Sequence, residues 1–172
     1  MGLLSRRLYL CTLASLFSPA LHAARGPLDG APDDDFMIRH LKQNMAKFEA
    51  IVAMAREDRG LIRIDEDWTE PADLAAIGIG PDRLADYRRR FSDLGVPRGI
   101  SVHATGSQVD FLAFARGWGP RGFSRSYVWS ASGEFEDAEI ATNLDALQAS
   151  GRRRVWAFRH VNGPWWLHLR ND

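Results

Sequence analysis

The chain has 172 residues, with 22 basic and 22 acidic side chains, and 45% of its residues are hydrophobic. This is the composition of an ordinary globular protein with one domain. It excludes a disordered chain and a polytopic membrane protein, and the balanced charge gives no support to nucleic-acid binding.

The first 23 residues have the pattern of a secretory signal peptide. Arg6 and Arg7 form a short basic start, and the apolar run that follows is too short to span a bilayer stably. A proline breaks the run, and Ala23 places a small residue at the expected cleavage position. We therefore predict that residues 1–23 are a cleaved signal peptide, and that the protein is periplasmic and has no stable membrane span.

The same segment leaves two export routes open. Arg6 and Arg7 fit a twin-arginine signal, which exports folded proteins, and they fit an ordinary signal peptide equally well. Cys11 follows bulky residues, which argues against a lipoprotein. Because Cys11 is the only cysteine, cleavage excludes disulfides, thiol catalysis and cysteine metal sites from the mature chain.

Two helices are predicted in the first half of the mature chain. Asp33 and its two acidic neighbours offer a helix N-cap, and apolar residues then recur every three or four positions, which predicts a helix over 35–58. Gly80 and Pro81 are typical of a helix start and Gly95 of a helix end, so a second helix is predicted between them.

From residue 99 onwards the apolar period changes to two, which predicts strands. A two-residue turn at Gly106-Ser107 would pair Val102 with Phe111 in a hairpin. Residues 123–130 are predicted to form the next strand.

The last strands are predicted to form a second hairpin. The Asn-Gly pair at 162–163 is a strong signal for a two-residue turn. The register that this turn implies places Trp156 and Trp165 on the core face of the sheet. It places Trp166 opposite Arg159 on the other face, where the two side chains would stack.

These elements predict an α+β fold, with two or three helices packed on one face of an antiparallel meander sheet of about four to five strands. The third helix is predicted within residues 134–148. Residues 24–32, rich in Gly, Pro and Asp, are predicted to be a flexible leader, and residues 33–172 a single domain.

Several aromatic residues and turns of the chain form a recognisable set. They lie at 60–64, 87–96, 126–129 and 162–167. With these residues the chain resembles an uncharacterised family of small exported proteins and lipoproteins of Gram-negative bacteria, over nearly the whole mature chain. That family has no established activity, so the resemblance implies no catalytic residues. By analogy, some small periplasmic proteins are immunity proteins, which neutralise a toxin delivered by a rival cell.

Three polar residues are the candidates for catalysis. The first hairpin places His103 opposite Asp110, with Ser101 on the same face. Ser101 and His103 lie two positions apart on one strand, so their Cβ atoms would be separated by about 6.5 Å, too far for a nucleophile and its base. The chain also lacks a nucleophile elbow. We therefore predict a solvated ion pair and no enzyme activity.

Neither a metal site nor a cofactor site is predicted. The histidines of the mature chain lack the i, i+4 spacing of helical metal ligands. The acidic residues between Asp65 and Asp73 lack the spacing of a calcium loop and are predicted to stay in water.

Tryptophan and arginine are the residue types that dominate protein-binding hot spots. The candidate partner-binding residues are Trp118, Arg121, Arg159, Trp166 and His168. We predict a periplasmic protein-binding module without catalytic activity, of which an immunity-type inhibitor is the most specific form. Its partner would be another protein of the cell envelope. The alternative is a small-ligand-binding protein or a hydrolase that uses the cleft between helices and sheet.

Overall fold

The computed structural model describes residues 30–96, 98–103, 106–117 and 122–172. Within these residues, α-helices pack on one face of an eight-stranded sheet. The helices are α1 (Asp34–Gln43), α2 (Met45–Glu57), α3 (Pro81–Leu94) and α4 (Leu144–Ala149), with a short 3₁₀ helix at Ala75–Ile77. The strands are β1 (Arg63–Ile64), β2 (Thr69–Glu70), β3 (Ile100–Val102), β4 (Gln108–Arg116), β5 (Phe123–Ser130), β6 (Glu139–Ile140), β7 (Val155–Asn162) and β8 (Trp165–Asn171).

The strand order in the sheet is β2-β1-β3-β4-β5-β8-β7-β6. Neighbouring strands are antiparallel, except that β6 runs parallel to β7. The predicted meander of four to five strands is therefore wrong. Residues 61–64 are apolar enough to suggest a short strand, and Arg63–Ile64 form β1. The additional strands β2 and β6 have two residues each, which is too short to show an alternating pattern in a sequence.

The helices also differ from the prediction in two places. The single helix predicted over 35–58 is two helices, because Asn44 leaves the helical conformation and its side-chain amide donates to the carbonyl of His40. The apolar stripe continues across this break, so periodicity alone does not reveal it. Within 134–148, only the last residues are helical, and Ile140 lies in β6 with its side chain exposed.

The prediction for α3 is confirmed. The helix begins at Pro81, and Gly95 ends it in the left-handed conformation with φ = 67°.

Both hairpins have a different register from the one predicted. In the first, Val102 pairs with Val109, which shifts the pairing by two residues but keeps every side chain on its predicted face. In the second, a bulge between His160 and Asn162 shifts the pairing by one, so that His160 faces Trp166. A shift by one residue moves the β7 side chains to opposite faces, and Trp156 therefore lies outside the core.

Aromatic rings fill the centre of the core between the helices and the sheet. Phe48 of α2 lies 5.0 Å from Phe111, 4.9 Å from Tyr127 and 5.6 Å from Trp165, measured between ring centroids. All four residues are buried. We refer to the face of the sheet that carries these rings as the inner face and to the opposite one as the outer face.

A buried network of charges attaches two helices to the inner face. Arg125 of β5 is fully buried. Its guanidinium forms ion pairs with Asp34, the first residue of α1, and with Asp145 of α4. The distance from the guanidinium to the Asp145 carboxylate is 3.0 Å. Arg159 of β7 binds the same Asp34 carboxylate at 2.7 Å. Asp34 also accepts the backbone N–H of Leu144 at 2.8 Å, while Asp145 accepts the backbone N–H of Asp34 at 3.0 Å. Each carboxylate therefore caps the N-terminus of the other helix.

We predict that Asp34→Asn lowers the free energy of unfolding by about 3 kcal/mol, because it leaves a buried guanidinium with one carboxylate instead of two. Asp35→Asn is the matched control, since Asp35 lies in the same helical turn but is exposed. Urea unfolding followed by circular dichroism measures both changes. Equal losses in the two variants would contradict a special role for the buried pair.

Candidate functional site

The outer face of the sheet carries the strongest candidate site. In the described part of the chain, all four helices contribute to the core on the inner face. The outer face carries a set of aromatic rings that we call the outer aromatic patch. It consists of Phe135, Trp156, Phe158, His160, Trp166 and His168.

The rings of the outer aromatic patch form two layers. Phe158 and His168 are buried against the sheet and stack on one another at 4.5 Å between ring centroids. Trp156 packs edge-on against His168 at 4.3 Å and is 38% exposed. The guanidinium of Arg170 lies 5.9 Å from the centre of the Trp156 ring. The exposed ring of Trp156 thus packs on rings that are themselves buried.

The segment between β5 and β6 covers the other end of the patch. Its Phe135 stacks on Phe158 at 3.7 Å and meets Trp166 edge-on at 5.2 Å. Gly133 brings this segment close to the sheet, since a Cβ atom there would lie 3.1 Å from Cζ2 of Trp166. Its φ of 69° also favours glycine, and its N–H donates to the hydroxyl of Ser130 at 3.0 Å.

Two polar atoms within the patch are buried without a hydrogen-bond partner in the described part of the chain. They are Nε2 of His168 and Nε1 of Trp166. Burial lowers the pKa of His168 to about 4, although the charge of Asp110 acts in the opposite direction. The imidazole is therefore neutral at pH 7.

The structure places the three candidate catalytic residues near one another. Ser101 lies directly opposite Asp110, and Nε2 of His103 is 3.7 Å from a carboxylate oxygen of Asp110, which raises the pKa of His103. The hydroxyl of Ser101 accepts a hydrogen bond from Arg63 at 3.2 Å. Gln108 donates to Asp110 at 2.8 Å. His103 and Asp110 thus form an ion pair, whereas the hydroxyl of Ser101 is hydrogen-bonded to Arg63.

The candidate partner-binding residues fall into three groups. Trp118 and Arg121 lie outside the described residues. Trp166 and His168 lie on the outer face, as the sequence predicts. The predicted pairing of Arg159 with Trp166 is wrong, because the bulge turns Arg159 to the inner face, opposite Leu167 and bonded to Asp34.

Most residues of the outer aromatic patch are not predicted from the sequence to lie on the outer face. Trp156, Phe158 and His160 alternate along β7, which is the signal of an aromatic face. The two-residue turn assumed for this hairpin assigned Trp156 and Phe158 to the core. Phe135 lies outside any strand and carried no periodic signal.

The acidic segment after β1 is exposed at four of its five carboxylates, as the sequence predicts, namely at Glu66, Asp67, Glu70 and Asp73, but it differs at Asp65. Asp65 is buried instead of solvated, and it accepts a hydrogen bond from Arg63 at 2.7 Å. Among the described residues, no group of three or more His, Cys, Asp or Glu side chains could hold a metal ion.

No helix within the described residues has the length and apolar character needed to cross a membrane.

Comparisons of the chain with protein-family models, with curated proteins and with solved structures find no match. The function is therefore inferred from the geometry of the site.

We predict that the folded protein loses stability as the pH falls from 7 to 5, with a contribution of about 2 kcal/mol from His168. The unfolded chain binds a proton at this histidine near pH 6.5, whereas the folded chain does so only near pH 4, so acid favours unfolding. Urea unfolding at several pH values measures the slope. His168→Phe should reduce it, and His160→Phe, an exposed histidine of the same patch, serves as the control. An unchanged slope in His168→Phe would contradict the prediction.

Proposed function

We propose that this chain is an exported, periplasmic protein-binding module without catalytic activity, and that the outer aromatic patch is its binding surface. The observation that carries the proposal is Trp156, an exposed tryptophan beside Arg170 on the outer face of the sheet. Tryptophan and arginine contribute most to the energy of protein interfaces when a partner desolvates them.

The rigidity of the patch supports this proposal. Trp156 packs against Phe158 and His168, which are themselves held in adjacent, hydrogen-bonded strands. A side chain that is already ordered loses little conformational entropy on binding. A partner that covers the exposed part of the Trp156 ring therefore removes apolar surface from water, which favours binding. The accompanying loss of side-chain conformational entropy is small.

The predicted signal peptide supports a partner in the cell envelope or among proteins that enter the periplasm from outside. An immunity-type inhibitor is the most specific form of the proposal. Such a protein acts by covering a functional surface of its partner, so it requires a stable binding face and no catalytic group. The ion pair of His103 with Asp110 then has a structural role on the sheet surface.

We expect Trp156→Ala to weaken partner binding about 30-fold, which corresponds to the loss of about 2 kcal/mol that defines a hot spot. Trp68→Ala is the matched control, because Trp68 is 46% exposed and also has an arginine, Arg63, over its ring at 5.0 Å. Trp68 precedes β2, which forms the opposite edge of the sheet.

The experiment begins with capture of the partner from cross-linked periplasm by the tagged mature protein, followed by mass spectrometry. The partner is then purified, and its dissociation constant is measured for the wild type and both variants, after circular dichroism has established that each is folded. Equal affinity of all three proteins, or the absence of any stoichiometric partner, would contradict the proposed surface. The immunity-type form also requires that a captured enzyme loses its activity in the complex.

A further inference from the structure

A second feature of the molecule lies away from the outer aromatic patch. A groove of about 630 Å³ lies between the C-terminal end of α2 and the end of β3. Its charged lining comes from Arg56, Glu57, Asp58 and Arg59, and Val102 and His103 line the strand side.

Both carboxylates of the groove are bound by side chains of α3. Arg83 forms ion pairs with Glu57 at 3.1 Å and with Asp58 at 2.9 Å. The hydroxyl of Tyr87 donates a further hydrogen bond to Asp58 at 2.7 Å. Asp58 is therefore fixed by partners on α3, and in the described part of the chain no ion pair joins Asp58 or Glu57 to the arginines of the groove.

Arg56 and Arg59 have no ion-pair partner among the described residues, in contrast to Arg83. The guanidinium of Arg56 is held 5.1 Å above the ring of Trp129, which orders it without neutralising its charge. The carbonyl groups at the end of α2 favour cations there, but a helix end supplies only about half an elementary charge. When Arg83 of α3 is counted with Arg56 and Arg59, three guanidinium groups and two carboxylates leave a net positive charge at this end of α2.

We propose that this groove is a binding site for the oxyanion group of a small ligand, a phosphate or a carboxylate, held by Arg56 and Arg59. A guanidinium presents several N–H donors in one plane, which suits the paired oxygens of these groups. The groove is large enough for a small molecule that carries such a group. This site is separate from the proposed protein-binding surface, and its ligand requires no contact with Trp156.

The test is a titration of the mature protein with inorganic phosphate and, separately, with succinate, followed by the NMR signals of backbone amides. Gly60 and Gly106 line the groove and report binding there, and the indole signal of Trp129 reports the position of Arg56. We expect saturable shifts of these signals at anion concentrations up to about 20 mM, the range of weak single-site binding.

Arg59→Gln is expected to weaken anion binding about tenfold, because it removes charge-assisted hydrogen bonds. Arg59 has no ion pair in the described part of the chain, so this variant should fold normally, and Arg56→Gln provides a second test. Arg39→Gln is the control, since Arg39 is exposed on α1 and does not line the groove.

The response to the two anions identifies the ligand class. Shifts with phosphate alone would assign a phosphate-bearing ligand, and shifts with succinate alone a carboxylate-bearing one. The absence of shifts with both anions would overturn the proposal, as would equal binding by Arg59→Gln, Arg56→Gln and the wild type. None of these outcomes changes the test of Trp156 against its protein partner.

Discussion

The burial of Arg125 determines how the helices attach to the sheet. A guanidinium with no exposed surface is tolerated only when carboxylates compensate its charge, and both carboxylates that do so stand in the first turns of helices, Asp34 in α1 and Asp145 in α4. The N-termini of the two helices must therefore meet over β5. Because Arg125 points to the inner face, both helices are held on that face, and neither of them covers the outer one.

The same network contributes to the orientation of β7. Arg159 reaches Asp34 only if its side chain is on the inner face, and the bulge before Asn162 gives β7 this orientation. Side chains alternate along a strand, so Trp156, Phe158 and His160 then turn to the outer face together. The register of β7 thus has two consequences. It places a buried ion pair on the inner face of the sheet and an aromatic surface on the outer face. A change of this register by one residue would exchange the two sets.

Local signals in the sequence predict the elements that depend on local chemistry. Pro81 and Gly95 mark the ends of α3 because their backbone preferences act within a few residues, and β5 is recognisable from its composition. The register of the last hairpin depends on a bulge and on a long-range ion pair between Arg159 and Asp34, neither of which leaves a periodic trace. Because the candidate site is defined by that register, the sequence identified Trp166 and His168 as outer-face residues but assigned Trp156 to the core.

The outer aromatic patch contains two of the buried polar atoms that lack a hydrogen-bond partner in the described part of the chain. Nε2 of His168 and Nε1 of Trp166 are both buried without a partner among the described residues, and each such atom costs about 1–3 kcal/mol. His168 stacks on Phe158 and meets Trp156 edge-on, which offsets part of this cost, but a purely apolar residue would pack there without the cost. Unsatisfied polar groups in natural proteins tend to occur where function restricts the choice of residue. The inner side of the sheet also contains such atoms, Nε1 of Trp165 and Nε of Arg125, so it is the exposure of Trp156 and not the unpaired atoms that supports a binding surface on the outer face.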